Sequence, residues 1–177
     1  QKNIDQHGLV LYCKKKDINK KTNFPYNLYI NYLYQHISSG WIVVLDDDNK
    51  FFSKNSLSII SKYLQNQDSL LIWKVKLFEK IIPLNSFNKK PMLYDIDSSN
   101  FIFHSKYKDQ FGKWDGNKCA DYRVVSNLYK NLSNTIWIDE VIIESQRQHV
   151  FGGKGIRDDE GFLIPWYKKI IYKVRIL

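Results

Sequence analysis

The segment Trp41–Leu45, WIVVL, constrains this chain more than any other. Five apolar residues, three of them β-branched, are too few for a buried helix and fit a central strand covered on both faces. The run ends abruptly in Asp46, Asp47 and Asp48. Side chains alternate along an extended chain, so Asp46 and Asp48 share one side while Asp47 points away. Two hard oxygen donors at that spacing suit Mg²⁺ or Mn²⁺. In open α/β sheets, ligands bind in the crevice beyond the carboxyl ends of strands. The plain alternative is a solvated acidic turn, because a D-x-D pattern is a weak motif by itself.

The flanking segments alternate in type. Gly8–Cys13 reads as a strand, Lys14–Lys21 as a basic loop and Asn23–Pro25 as a turn. Leu28, Tyr32, Leu33 and Ile37 recur at helical spacing within Tyr26–Ser39, and Ser38-Ser39-Gly40 stops that helix. A second helix is expected at Asn55–Gln65, capped by Asn55 or Ser56, with Leu57, Ile60, Tyr63 and Leu64 as its apolar stripe. Ser69–Phe78 reads as a strand and Lys80–Met92 as a Pro-punctuated excursion. Asn100–His104 is a short strand, and Cys119–Asn131 is a helix with Val124, Val125 and Leu128 inside. Thr135–Ile138 and Val141–Glu144 are two strands or one bent strand. Gln146–Gly161 is a polar loop, after which Pro165 opens a last helix, Trp166–Leu177. Strands alternating with helices favour a single α/β domain with a mainly parallel sheet and an antiparallel edge in its second half.

Composition narrows the function classes. A 44% hydrophobic, 25% charged chain of 177 residues is globular rather than disordered or fibrous. The net charge of +9 favours polyanionic partners, although abundant Lys, Asn and Ile also follow from an AT-rich coding sequence. Cys13 and Cys119 are far apart and outside any Cys/His cluster, which argues against a disulfide framework or structural zinc. A reducing, cytoplasmic compartment fits. No run approaches the roughly 20 apolar residues of a membrane span.

The segment Pro25–Lys50, PYNLYINYLYQHISSGWIVVLDDDNK, resembles the GT-A-fold glycosyltransferases, especially small family 2-like enzymes. In these an Asn-bearing helix leads into a hydrophobic strand that ends in a D-x-D motif. LLIWKVKL resembles the next sheet strand, Asp95–Tyr107 (DIDSSNFIFHSKY) the acceptor-side segment, and Ala120–Leu128 (ADYRVVSNL) the helix start that carries an acidic residue facing the acceptor. The resemblance covers about Leu9–Glu144. It implies an α/β/α sandwich with a mixed, mainly parallel sheet. It also implies transfer of a sugar from a nucleoside diphosphate-sugar donor to a hydroxyl of a glycan, glycoprotein or lipid-linked acceptor, with inversion.

Carried onto these positions, the resemblance makes Asp46 and Asp48 ligands of a Mn²⁺ or Mg²⁺ ion that bridges the donor diphosphate, with Asp46 and Asp47 on the cofactor side. His149 would complete the metal site, and Gly153 and Lys154 of the FGGKG loop would meet the diphosphate; a surface histidine is an equal reading of His149. Asp121 is the candidate general base, with Asp115 as runner-up; the plain reading of Asp121 is a helix cap. Trp114 is the candidate for stacking on a sugar, whereas Trp73 and Trp137 read as core and His104 as structural. Family members begin with a strand, a helix and a strand that hold the nucleotide base. Only about 40 residues precede Asp46 here, so an N-terminally truncated domain is expected.

Two other classes compete. KKKDINKK, Lys14–Lys21, offers phosphate contacts for nucleic acid without any accompanying recognition motif, so no nucleic acid is expected. Residues 162–177 form a basic amphipathic segment, and Trp166–Leu177 suits peripheral contact with a membrane surface. The same residues suit a terminal helix or strand docked on the core, which is favoured.

Overall fold

The computed structural model describes residues 3–5, 8–11, 24, 26–46, 49–145 and 173–176. Nine strands and three α-helices follow in chain order among them: β1 (Asn3–Asp5), β2 (Gly8–Leu11), α1 (Tyr26–Tyr34), β3 (Trp41–Leu45), β4 (Asn49–Phe51), α2 (Ser56–Ser61), β5 (Ser69–Leu77), β6 (Lys80–Ile82), β7 (Phe101–His104), α3 (Ala120–Asn131), β8 (Asn134–Ser145) and β9 (Lys173–Ile176). They form one mixed sheet in the order β1-β2-β9-β3-β7-β5-β8-β4, with β6 also paired to β5.

All five residues of β3 are buried, as a doubly covered strand requires. Ile42 and Val44 pack in a core with Ile30, Leu33 and Tyr34 of α1 and Val124, Val125 and Leu128 of α3. Trp41, Val43 and Leu45 pack in a second core with Ile60 of α2 and Ile138, Ile142 and Ile143 of β8. The period-two alternation of β3 therefore separates the two cores. α1 and α3 cover one face of the sheet and α2 the other. Ser56 ties α2 to β8 by donating its hydroxyl to the Ile142 carbonyl at 3.0 Å.

The sheet is mostly antiparallel, which corrects the expectation of a mainly parallel one. Only β5 and β8 pair in parallel among the described residues; the other pairings are antiparallel. The reason lies in the connection after β5. A parallel return needs a crossover, usually a helix, and residues 78–100 contain instead the hairpin partner β6, a series of turns and one turn of 3-10 helix. β7 consequently enters antiparallel and pairs with both β3 and β5. A buried apolar strand looks the same in sequence whichever way its neighbours run.

Two further expectations need correction. The buried stripe of α1 is Tyr29, Ile30, Leu33 and Tyr34, with Ile37 buried just beyond its end, while Tyr32 is exposed. The chain end is not a helix throughout: Lys173–Ile176 is strand β9, paired with β2 on one side and β3 on the other. The rest of the 162–177 segment, and Lys14–Lys21, lie outside the described residues.

The excursion between β6 and β7 is organised by one carboxylate. Asp95 is 6% exposed and accepts from the backbone N–H groups of Leu84 (2.9 Å), Asn85 (2.9 Å) and Ser86 (2.7 Å) and from the Ser86 hydroxyl (2.8 Å). Burial by itself would raise its pKa, but these donors from Leu84, Ser86 and Asn85 outweigh it and hold the carboxyl below its usual range. Its ionised form is therefore worth more folded than unfolded, and that stability is lost as pH falls through its folded pKa. Asp95→Ala strands the donors and should lower the unfolding free energy by about 3 kcal/mol at neutral pH. Urea unfolding at pH 7 and at about pH 2.5 checks this; the difference between variant and parent should persist down to about pH 4 and shrink only below the ordinary carboxyl pKa of 3.8.

Candidate functional site

The site lies where the carboxyl end of β3 meets the amino end of β7. The register pairs Trp41 with His104, Ile42 with Phe103 and Val43 with Ile102. Followed outward, the same register brings Asp46 beside the Ser98–Asn100 turn. The Ser98 hydroxyl lies 2.7 Å from Asp46 Oδ2 and 3.3 Å from Asp97 Oδ1, so it spans two carboxylates.

That turn is held rigidly. Asp97 caps it by accepting from the Ser99 N–H at 3.1 Å and the Ser99 hydroxyl at 2.7 Å. Asn100 Oδ1 accepts the Asp97 N–H at 2.6 Å, which closes a capping box. Asn100 Nδ2 donates to the carbonyls of Trp73 (2.8 Å) and Ile82 (3.1 Å). The Trp73 indole N–H donates to the Ser99 carbonyl at 2.8 Å. Trp73 and Asn100 are fully buried, so the turn is fastened to β5 and β6 through the core.

A third acidic residue approaches from α3. Asp121 stands in its first turn and takes the Tyr122 N–H at 2.8 Å. Its pKa is raised to about 6, first by burial and then by the negative charge of Asp97; the Tyr122 N–H and the Arg123 guanidinium oppose the shift. The capping reading of Asp121 fails because it lies inside the helix, and the N-cap is Cys119 in left-handed backbone (φ 59°).

Asp115 has another occupation. Arg123 grips it through Nε and through Nη2 (2.7 Å), and Asp115 also accepts the Asn117 N–H at 2.8 Å. The Arg123 contact, with help from Asn117, holds its carboxyl below the usual range despite partial burial. Helix α1 secures the same loop. Asn31 Nδ2 donates to the Trp114 carbonyl (2.7 Å), Asn31 Oδ1 accepts the Trp114 N–H (2.8 Å), and Asn27 Nδ2 donates to the Asn117 carbonyl (2.9 Å).

The stacking role expected for Trp114 is overturned. Trp114 is 3% exposed, belongs to the core of α1 and α3, and donates its indole N–H to the Tyr34 hydroxyl at 2.8 Å. A ring closed in on its faces cannot meet a sugar. Trp73 is core, Trp137 packs edge-on against Phe87, and His104 accepts the Lys106 N–H while its ring meets Trp41 edge-on.

The structure thus brings Asp46, Asp97, Ser98 and Asp121 into one neighbourhood and sets Asp115 on Arg123. Asp47, Asp48, His149, Gly153 and Lys154 lie outside the described residues. Among the described residues no three His, Cys, Asp or Glu side chains are grouped so as to hold a metal ion. Asp97 and Ser98 carry no individual role in the sequence reading. Their signal is the Asp-x-x-Asn capping box immediately before the strand FIFH. Comparison with protein-family models and with curated proteins finds no match to this chain.

Asp121 carries a stability cost. A folded-state pKa above the unfolded value of 3.8 means that stability falls as pH rises from about 4 through 6. Asp121→Asn should therefore stabilise the protein above pH 6 by about 2–3 kcal/mol and flatten its stability–pH curve in that interval. Thermal unfolding at pH 4 and pH 7.5 measures both effects.

Proposed function

We propose that this chain is a GT-A-type, metal-dependent glycosyltransferase that moves a sugar from a nucleoside diphosphate donor to an acceptor hydroxyl. One observation carries the reading. A half-buried carboxyl with pKa near 6, Asp121, faces a second acidic group, Asp97, that Ser98 links to Asp46 at the end of a central strand. The helix layers on both faces of a mixed sheet are compatible with the α/β/α sandwich the resemblance implies.

Asp46 and Asp48 would hold Mg²⁺ or Mn²⁺, since hard carboxylate oxygens beyond a strand end suit those ions. Such an ion neutralises charge on a departing diphosphate. Ser98 fixes the Asp46 carboxylate, so that it is oriented before any ligand arrives. Asp121 takes the proton of the acceptor hydroxyl as that oxygen attacks the sugar carbon. A general base works best when its pKa lies near the operating pH, and burial beside Asp97 moves Asp121 in that direction. Asp115, held low by Arg123, is a weaker base and serves to anchor the first turn of α3.

A thermal-shift series with nucleoside diphosphates and Mn²⁺ tests the reading. The melting temperature should rise with one of these ligands, and chelator should abolish the rise. Asp46→Ala and Asp48→Ala should lose it. Asp121→Asn should keep it, while sugar transfer falls by about a hundredfold or more and the acidic limb of the pH–rate profile near 6 disappears. Absence of any nucleotide-dependent shift would refute donor binding. Equal losses of shift and turnover in Asp121→Asn would refute the base role.

A further inference from the structure

The excursion around β6 exposes an apolar surface that neither core uses. Leu84 is 75% and Tyr94 77% exposed; Phe78, Ile81, Met92 and Leu93 are each more than two-fifths exposed. Phe78 and Ile81 belong to the β5–β6 hairpin, and Leu84 is brought to the Leu93–Tyr94 turn. Ile81 pairs across the hairpin with Lys76, and Lys80 pairs with Leu77. The four hydrogen bonds that Asp95 takes from Leu84, Asn85 and Ser86 draw Leu84 up to the turn that carries Leu93 and Tyr94. Isolated exposed apolar residues are ordinary, but six within residues 78–94, with Leu84 drawn to the Leu93–Tyr94 turn, make this excursion a candidate contact surface.

Charge selects the partner. Lys80, Lys89 and Lys90 are exposed among these side chains and enter no ion pair among the described residues; Glu79 is the only acidic residue in 78–94, and there is no arginine. Protein interfaces are enriched in Arg and depleted in Lys. Leu84, Leu93 and Tyr94, the side chains placed to meet a partner, stand in the bends and turns between β6 and β7. We propose that residues 78–94 dock the protein on an anionic membrane surface, with Leu84, Leu93 and Tyr94 entering the headgroup region and the three lysines meeting lipid phosphates and carboxylates. The contact is peripheral, since no described helix is long and apolar enough to cross a bilayer. It does not rest on the transferase reading, although Asp95 joins this surface to the turn that carries Asp97 and Ser98.

Sedimentation of the full chain with vesicles tests the proposal, using phosphatidylcholine alone and phosphatidylcholine with phosphatidylserine. Binding is expected to the anionic vesicles and to fade as salt rises. Lys80→Gln, Lys89→Gln and Lys90→Gln together should weaken it by about a hundredfold, at roughly 1 kcal/mol per lysine. Leu84→Ser, Leu93→Ser and Tyr94→Ser together should weaken it by about tenfold or more, with an unchanged circular dichroism spectrum. Failure of the parent protein to bind anionic vesicles overturns the proposal. Binding that both triple variants retain also overturns it, because the contact then lies elsewhere in the chain. A concentration-dependent dimer in vesicle-free buffer, abolished by the serine variant, overturns it in favour of a second copy as occupant.

Discussion

Antiparallel pairing between β3 and β7 is the constraint on which the candidate site depends. Two antiparallel strands place the end of one beside the beginning of the other. The acidic tip that ends β3 therefore stands next to the Asp97–Asn100 turn that begins β7, and the Ser98 hydroxyl can reach Asp46. Parallel strands with the same residues would put these groups at opposite edges of the sheet. The polar chemistry is thus a consequence of strand direction, and strand direction follows from a connection of turns where a crossover helix would otherwise stand.

This explains which parts could be read in advance. β3, β5, β7, α3 and the inward side chains Val124, Val125 and Leu128 follow from hydrophobic period and length, because burial imposes those patterns locally. Asp46 and Asp121 stand out because one directly follows a buried strand and the other stands at a helix start, although an acidic turn and a helix cap are ordinary uses of such carboxylates. Pairing partners leave no such local mark. A strand buried on both faces is apolar in either direction, so the mainly parallel reading was as consistent with WIVVL and SLLIWKVKL as the observed sheet. Asp97 and Ser98 were missed for the same reason: their importance comes from what strand order sets beside them. Trp114 failed differently. Its polar, Gly-containing surroundings suggest exposure, yet Asn31 and Tyr34 supply partners for its backbone and indole groups and let the ring be buried.

The four acidic residues Asp95, Asp97, Asp115 and Asp121 separate structural from chemical use of one side chain. Asp95 is buried and surrounded by N–H and O–H donors, and it stays ionised to hold a loop. Asp115 is gripped by Arg123 and fixes the approach to α3. In both, the charge is matched by what surrounds it. Asp121 gains the Tyr122 N–H and its own and only a shared influence from Arg123, whose guanidinium is committed to Asp115, and it lies within the influence of another acidic group, Asp97.

A carboxyl left short of donors in a partly buried position disfavours the folded state once it ionises. Folding stability alone would replace such a group with an amide or bring a cation to it. Its surroundings do neither within the described residues: Arg123 is turned toward Asp115 instead, and Asp97 raises the proton affinity further. The same mismatch that weakens the fold makes the group a proton acceptor near neutral pH, where a well-matched aspartate such as Asp95 is too weak a base to act. Arg123 anchors Asp115 and Asp97 caps the Ser98–Asn100 turn, so each has a structural partner of its own, and the raised proton affinity of Asp121 follows from its burial beside them.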